Sequence, residues 1–180
     1  MPICFQAGWK LRLCLPLLPF LMPVLNAQTT LVLSSATATS LESASLELSL
    51  DSSDGVTPAA VQWTFQYPAA AIRSITVEDG PALVAAGKTV LCGGDASAYT
   101  CLAVGLNAEL IPDGVVAKVI VELAPDENGG TLAFTDAIGV SAAGHPIPIY
   151  TKNGNVTRPA GDRRPLPLRQ RVGEKQQPGK

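Results

Sequence analysis

Apolar and polar residues alternate along much of the chain with a period of two. Between Leu46 and Leu50 every second residue is leucine, and the intervening positions are glutamate and serine. The same period runs from Val61 to Tyr67, where Pro68 ends it. Since a period of two places successive side chains on opposite faces, both segments are predicted to be half-buried β-strands.

Further short apolar runs follow at regular intervals, each bounded by residues that favour turns. They span Ile72–Val77, Lys88–Cys92, Tyr99–Val104, Val115–Leu123, Thr131–Phe134 and Ile147–Tyr150. Helical periodicity is absent except for a turn near Asn107–Leu110. Many short strands separated by turn signals predict an all-β protein, an antiparallel β-sandwich in one domain.

The two faces of the segment from Val61 to Tyr67 differ in composition. One face consists of Val61, Trp63, Phe65 and Tyr67. We expect it to form part of the core rather than to stack on a sugar, because large apolar side chains in such a pattern are usually buried. The opposite face, Gln62, Thr64 and Gln66, is a flat polar surface. These three residues are candidate contacts for a sugar or a protein, although exposed strand faces are usually only solvated.

Residues 1–27 have the composition of an export signal. Two basic residues precede an apolar segment from Leu13 to Leu25, and small residues follow it. We expect cleavage after Ala27, which predicts a mature chain that begins at Gln28 and is secreted or held at the cell surface. The alternatives are a buried N-terminal helix or a retained anchor, and the three prolines within the segment disfavour both.

Loss of the signal leaves two cysteines, Cys92 and Cys101. An even pair in an exported chain favours a disulfide, and the glycines between them indicate a hairpin whose arms the bond could clamp. Metal binding is the weaker interpretation, because no second cysteine pair or histidine lies nearby to complete a ligand set. No metal or other cofactor is predicted. A calcium site in the acidic turns Asp51–Gly55 or Asp126–Gly129 is the alternative, although both lack the full spacing of known calcium loops.

Charge divides the chain at Arg158. Residues 28–157 contain four basic and thirteen acidic residues, whereas residues 158–180 contain seven basic and two acidic ones. The acidic body argues against a nucleic-acid-binding protein. The basic, proline-rich tail has too few apolar residues to build a core and is predicted to be a disordered, solvated extension. The alternative is a tether to anionic surfaces or polymers.

The motifs of common enzymes are missing from the sequence. His145 is the one histidine, it lies in a turn composition, and no G-x-S-x-G motif accompanies it. The acidic residues of the body lie mostly in turns, where they usually accept backbone hydrogen bonds. No enzymatic activity is expected.

The order of several motifs resembles that of cohesin domains over roughly Thr30 to Thr157. The motifs are Ala60–Pro68, an aromatic strand ending in tyrosine, then Ile75–Gly80, Ile111–Leu123, Thr131–Asp136, Ala143–Gly144 and Asn153–Thr157. This resemblance implies a jelly-roll sandwich of about nine strands from the superfamily of cohesins and carbohydrate-binding modules. It also implies a non-catalytic extracellular role in polysaccharide binding or degradation, through sugar or through a dockerin-like partner.

These observations combine into one hypothesis. We expect a signal peptide over 1–27, a cohesin-like domain over 28–157 and a disordered tail over 158–180. The domain is expected to be a monomer that binds polysaccharide or a dockerin-like protein, and the resemblance implies docking on the flat polar face. The alternative is a structural or adhesive cell-envelope protein attached through its basic tail.

Overall fold

The computed structural model of the chain describes residues 28–38, 43–53, 55–125 and 127–159. The predicted signal peptide, residues 1–27, lies outside the described residues, as does the predicted tail from residue 160 onward. Most of the predicted domain falls within them.

The described residues form eleven β-strands and one short helix. In chain order these are β1 (Thr29–Leu33), β2 (Ala36–Thr37), β3 (Ser43–Asp51), β4 (Ala60–Gln66), β5 (Ile72–Asp79), α1 (Pro81–Ala85), β6 (Thr89–Gly94), β7 (Ala98–Val104), β8 (Gly114–Leu123), β9 (Gly129–Val140), β10 (Pro146–Lys152) and β11 (Gly154–Thr157). The all-β prediction is confirmed. The count exceeds the expected nine by the two shortest strands, β2 and β11, which pair with each other.

Nine of these strands form one hydrogen-bonded path that folds into two layers, while β11 pairs with β9 and β2 beside it. Its order is β5-β8-β3-β1-β10-β9-β4-β7-β6. The path turns at β10, because Ile149–Lys152 pair with β1 while Pro146–Pro148 pair with β9. The layers are therefore β5-β8-β3-β1 and β9-β4-β7-β6. Their strand pairs are antiparallel as predicted, whereas β1–β10 and β2–β11 are parallel.

The core between the layers consists of the inward positions of the alternating strands. In β3, Leu46, Leu48 and Leu50 are at most 2% exposed. In β4, Trp63 and Phe65 are fully buried, with ring centroids 6.4 Å apart in an edge-to-face arrangement. Burying one such side chain is worth about 1.5–3 kcal/mol, so the alternation determines which face of each strand points inward. The prediction that the aromatic face of β4 is core is confirmed.

The helix α1 lies between β5 and β6, and the alternation does not predict it. Five residues are too few to display a helical period, and the start signal is local: Pro81 occupies the first turn directly after Gly80. The helical turn expected at Asn107–Leu110 is irregular loop, so that prediction is wrong. Asn107 instead donates its side-chain amide to the carbonyls that follow α1, those of Ala86 and Gly87.

Cys92 and Cys101 form a disulfide between β6 and β7. The two residues are directly opposite in the antiparallel pair, with Cα atoms 4.1 Å apart. Cys101 is fully buried and Cys92 is partly buried against the core. The predicted hairpin and its disulfide are both present.

The two ends of the sandwich carry different loops. At one end, which we call the helix end, lie α1 and the loops 52–59 and 105–113. At the other, which we call the tail end, lie the turn 95–97 and residues 158–159. There the Arg158 guanidinium donates hydrogen bonds to the carbonyls of Ala124 and Glu127, which fixes the point where the chain leaves the domain.

Candidate functional site

The solvent side of β9, β4, β7 and β6 is the surface that the sequence analysis singles out, and we call it the outer face. Gln62 and Thr64 are half-buried there, and Gln66 is exposed. All three lie on the side of β4 opposite the core, as predicted. Because β4 pairs with β7 on one side and β9 on the other, they form the middle column of a surface several strands wide.

The half of the outer face nearer the helix end is apolar. Strand register aligns Leu91 with Leu102, then Gln62, then Ile138 in one row across four strands. The three aliphatic side chains are 59%, 37% and 38% exposed, respectively. In the next pairs toward the helix end, Val104 is opposite Thr89 and Ala60 is opposite Val140. The predicted polar residues of β4 therefore lie beside aliphatic side chains that the neighbouring strands contribute.

The half nearer the tail end is polar. The hydroxyl oxygens of Thr64 and Thr100 lie 2.9 Å apart across β4 and β7. Asp136 of β9 is opposite Thr64 on the other side, and a register shift follows immediately in this pair. Asp136 is exposed and makes no hydrogen bond or ion pair with another described residue. This half therefore offers hydroxyl groups and one free carboxylate to a partner.

The outer face carries almost no charge. The strands β4, β6, β7 and β9 contain no lysine, arginine or histidine, and Asp136 is their one acidic residue. A partner with apolar and cationic groups would therefore meet no like charge on these strands.

Asp95 holds the turn that connects β6 to β7. Its carboxylate accepts hydrogen bonds from the amides of Ser97 and Ala98, at 2.8 and 2.9 Å, and from the Ser97 hydroxyl. The bond from the Ser97 amide is the main reason why the pKa of Asp95 lies below its usual value. The Asp95 carbonyl in turn accepts a hydrogen bond from the Tyr67 hydroxyl, whose pKa is raised by burial. These bonds anchor the tail end of the outer face to β4.

A fully exposed leucine lies beyond the apolar half. Leu106 follows β7 at the helix end and presents its whole side chain to solvent. The next residue, Asn107, is tightly held, since its side chain donates to two backbone carbonyls and accepts from the ammonium group of Lys88. Leu106 is not among the residues that the sequence pattern predicts for this surface. The available signal is an apolar residue in a loop composition directly after an alternating strand.

The remaining candidates do not form a chemical site. His145 lies exposed in the turn between β9 and β10, where its backbone amide bonds the Ser141 hydroxyl. Among the described residues no three histidine, cysteine or acidic side chains come close enough to hold a metal ion. In the same part of the chain no helix has the length and apolar character needed to cross a bilayer.

Comparison with known proteins gives a likeness of fold. No protein-family model and no curated protein matches the chain. Among solved structures, a cohesin in a type I cohesin–dockerin complex from Clostridium thermocellum superposes with a TM-score of 0.62 at 11% identity, covering 73% of this chain and 99% of that one.

Two further cohesin structures match in the same way. The sixth cohesin of scaffoldin B from Acetivibrio cellulolyticus, solved with a double mutant of the Cel5 dockerin, gives a TM-score of 0.60 at 14% identity and covers 73% of this chain and 99% of that one. A non-cellulosomal cohesin from the archaeon Archaeoglobus fulgidus gives 0.59 at 14% identity and covers 74% and 93%, respectively. The described residues therefore have a cohesin-like fold, as the order of the motifs predicts.

Proposed function

We propose that this chain is an exported, non-catalytic docking module that binds a dockerin-like protein through its outer face. The observation that carries the proposal is that an exposed aliphatic row, Leu91, Leu102 and Ile138, lies next to a polar patch around Asp136 on one sheet. Protein interfaces typically combine such an apolar centre with polar groups beside it. Two of the similar structures described above are cohesins bound to dockerins, which favours a partner of that kind.

A protein partner is favoured over a polysaccharide by the position of the aromatic side chains. A sugar ring stacks on exposed aromatic faces, but Trp63, Phe65 and Tyr67 are all buried, and the exposed Tyr150 lies on β10, outside the outer face. The polar half could still hydrogen-bond sugar hydroxyl groups through Thr64 and Asp136. Carbohydrate binding is therefore the second candidate, and the same screen tests it.

The alternative role in the cell envelope rests on the charge division at Arg158. A tail with seven basic and two acidic residues would be attracted to an anionic polymer whatever the domain binds. Such attachment would need the tail, tolerate changes on the outer face and weaken in moderate salt.

The test is a binding screen of the chain from Gln28 to Lys180 against immobilised dockerin modules and polysaccharides. It includes the Cel5 dockerin named above. Thr100→Arg puts a long cation at the centre of the outer face, and Thr76→Arg on β5 makes the same change on the solvent side of the other layer. Both threonines are exposed, so the two variants form a matched pair.

We expect saturable binding to a dockerin that Thr100→Arg weakens at least tenfold and Thr76→Arg leaves unchanged. If the chain is instead retained saturably on a polysaccharide, and Thr100→Arg weakens this retention while Thr76→Arg does not, the ligand of the outer face is a sugar and not a protein. Retention that disappears in salt, or when the chain ends at Thr157, would favour envelope attachment. If Thr100→Arg leaves dockerin binding unchanged, the outer face is not the binding surface.

A further inference from the structure

The tail contains a segment whose chemistry complements the outer face. Residues 163–171 read Arg-Arg-Pro-Leu-Pro-Leu-Arg-Gln-Arg, two leucines between pairs of arginines. We propose that this segment docks on the outer face of its own chain and covers it until a partner displaces it. The docking needs no external partner; only the competition with a dockerin-like protein rests on the function proposed above.

The outer face supplies the matching groups. Leu102 and Ile138 are exposed aliphatic side chains in one row of the sheet. Asp136, with its free carboxylate, lies in the adjacent row. No basic residue lies on β4, β6, β7 or β9 to repel the arginines. The described body also carries a large excess of acidic residues, which draws a basic segment toward it. Apolar contact and charge therefore act in the same direction.

The tail leaves the domain at a point from which it can reach this surface. Thr157 pairs with Gly129 at the start of β9, and the Arg158 guanidinium is fixed at the same end. Along β9, nine residues separate Gly129 from Ile138, about 30 Å at the rise of a strand. Nine residues also separate Pro159 from Leu168, and an extended chain of that length spans about 28–30 Å. Leu166 can therefore lie level with Asp136, and Leu168 can reach Ile138.

Because the tail segment and the outer face belong to one chain, even a weak contact between them is enough to populate the docked form. A short tether gives the segment an effective concentration of the order of millimolar, so an affinity in that range already populates the docked form. Pro165 and Pro167 restrict the backbone of the segment and of the residues before them to extended forms. That restriction lowers the entropy lost on docking.

The test is methyl NMR of the chain from Gln28 to Lys180. The core residues of the described part lie between Leu31 and Val156, so a chain that begins at Gln28 retains all of them. The variant is Leu166→Ser/Leu168→Ser, and Val172→Ser is the matched change outside the segment. Methyl signals of Leu102 and Ile138 report on the outer face, and those of Ile120 on the solvent side of the other layer serve as the internal control.

We expect the double variant to shift the methyl signals of Leu102 and Ile138. The variant Val172→Ser should leave those signals unchanged, and the Ile120 signals should not move in either variant. A synthetic peptide of residues 158–180, added at millimolar concentration to the double variant, should restore the original positions. Identical Leu102 and Ile138 signals in all chains would overturn the proposal. Shifts that depend on protein concentration, together with a doubled mass in solution, would overturn it in favour of docking between two copies.

The outcome is separable from that of the dockerin screen. The NMR comparison contains no dockerin, so its result tests only whether the tail docks on the outer face. Unchanged methyl signals combined with tail-dependent retention on an anionic polymer would assign the tail to attachment and would also overturn the docking. If both proposals hold, the double variant should bind its dockerin more tightly than the native chain does.

Discussion

The ammonium group of Lys88 donates a 2.8 Å hydrogen bond to the side-chain carbonyl of Asn107, and a longer one to its backbone carbonyl. Lys88 is only 5% exposed, so these neutral acceptors take the place of water around its charge. The same asparagine bonds the backbone that follows α1. This pair therefore joins α1 to the loop that presents Leu106.

Asn107→Ala should destabilise the domain by about 2–3 kcal/mol, because it removes an acceptor from a buried cation and two donors from backbone carbonyls. Glu109→Ala, in the same loop, is the control, since its exposed side chain makes no hydrogen bond to a described residue. Equilibrium unfolding in urea measures both. If the free energies of unfolding of the two variants differ by less than about 0.5 kcal/mol, the Asn107 side chain does not stabilise this loop.

The two faces of β4 should respond differently to truncation. Phe65→Ala removes a fully buried ring that also contacts Phe134, and should cost about 3–5 kcal/mol. Gln66→Ala, one residue further along the strand, changes an exposed side chain and should stay within about 0.5 kcal/mol. Denaturant unfolding of the two variants tests this contrast. Comparable losses would mean that the inward face of β4 has been misassigned.

Removal of the Cys92–Cys101 bond should lower stability by roughly 2.5–3 kcal/mol, the chain-entropy value for a loop of ten residues. Cys92→Ala/Cys101→Ala is compared with the native chain by urea unfolding, and the native chain is also measured with and without a reductant. The reductant should affect the native chain and leave the double variant unchanged. A native chain insensitive to complete reduction would contradict a stabilising role.

Acid should destabilise the domain partly through Asp95. Its pKa lies below the ordinary value of 3.8, chiefly because the Ser97 amide, and then the Ala98 amide, bond the carboxylate. A depressed pKa in the folded state gives stability that is complete above the unfolded value and is lost as pH falls through the folded value. The melting temperature should therefore fall below about pH 4. Asp95→Asn should show a shallower fall over that range, and an identical pH profile in both chains would remove Asp95 from this account.

The local features of the fold follow from the sequence. The period of two in β3 and β4 is a property of neighbouring residues, so it identifies Leu48 and Trp63 as core and places Gln62 on the opposite face before any pairing is known. The disulfide is equally local, since its hairpin spans ten residues. Such patterns need no knowledge of distant contacts.

The candidate site is less accessible to sequence reasoning because it is built by strand pairing. Leu91, Leu102 and Ile138 come from three separate strands and meet only through the register of β6, β7, β4 and β9. In the sequence each is a single aliphatic residue in a strand pattern. The parallel pair β1–β10 joins residues about 120 positions apart, and no local signal specifies it.

Because Trp63 is paired with Cys101, tryptophan fluorescence can report on the state of the core. The two residues lie opposite each other on β4 and β7, and Cys101 carries the disulfide to Cys92. The sequence contains two tryptophans, and the other, Trp9, lies in the predicted leader. A chain that begins at Gln28 therefore has one indole, enclosed in the core beside a disulfide, a known quencher of its emission. Its emission wavelength reports unfolding, and its intensity reports reduction of the bond, without any added dye.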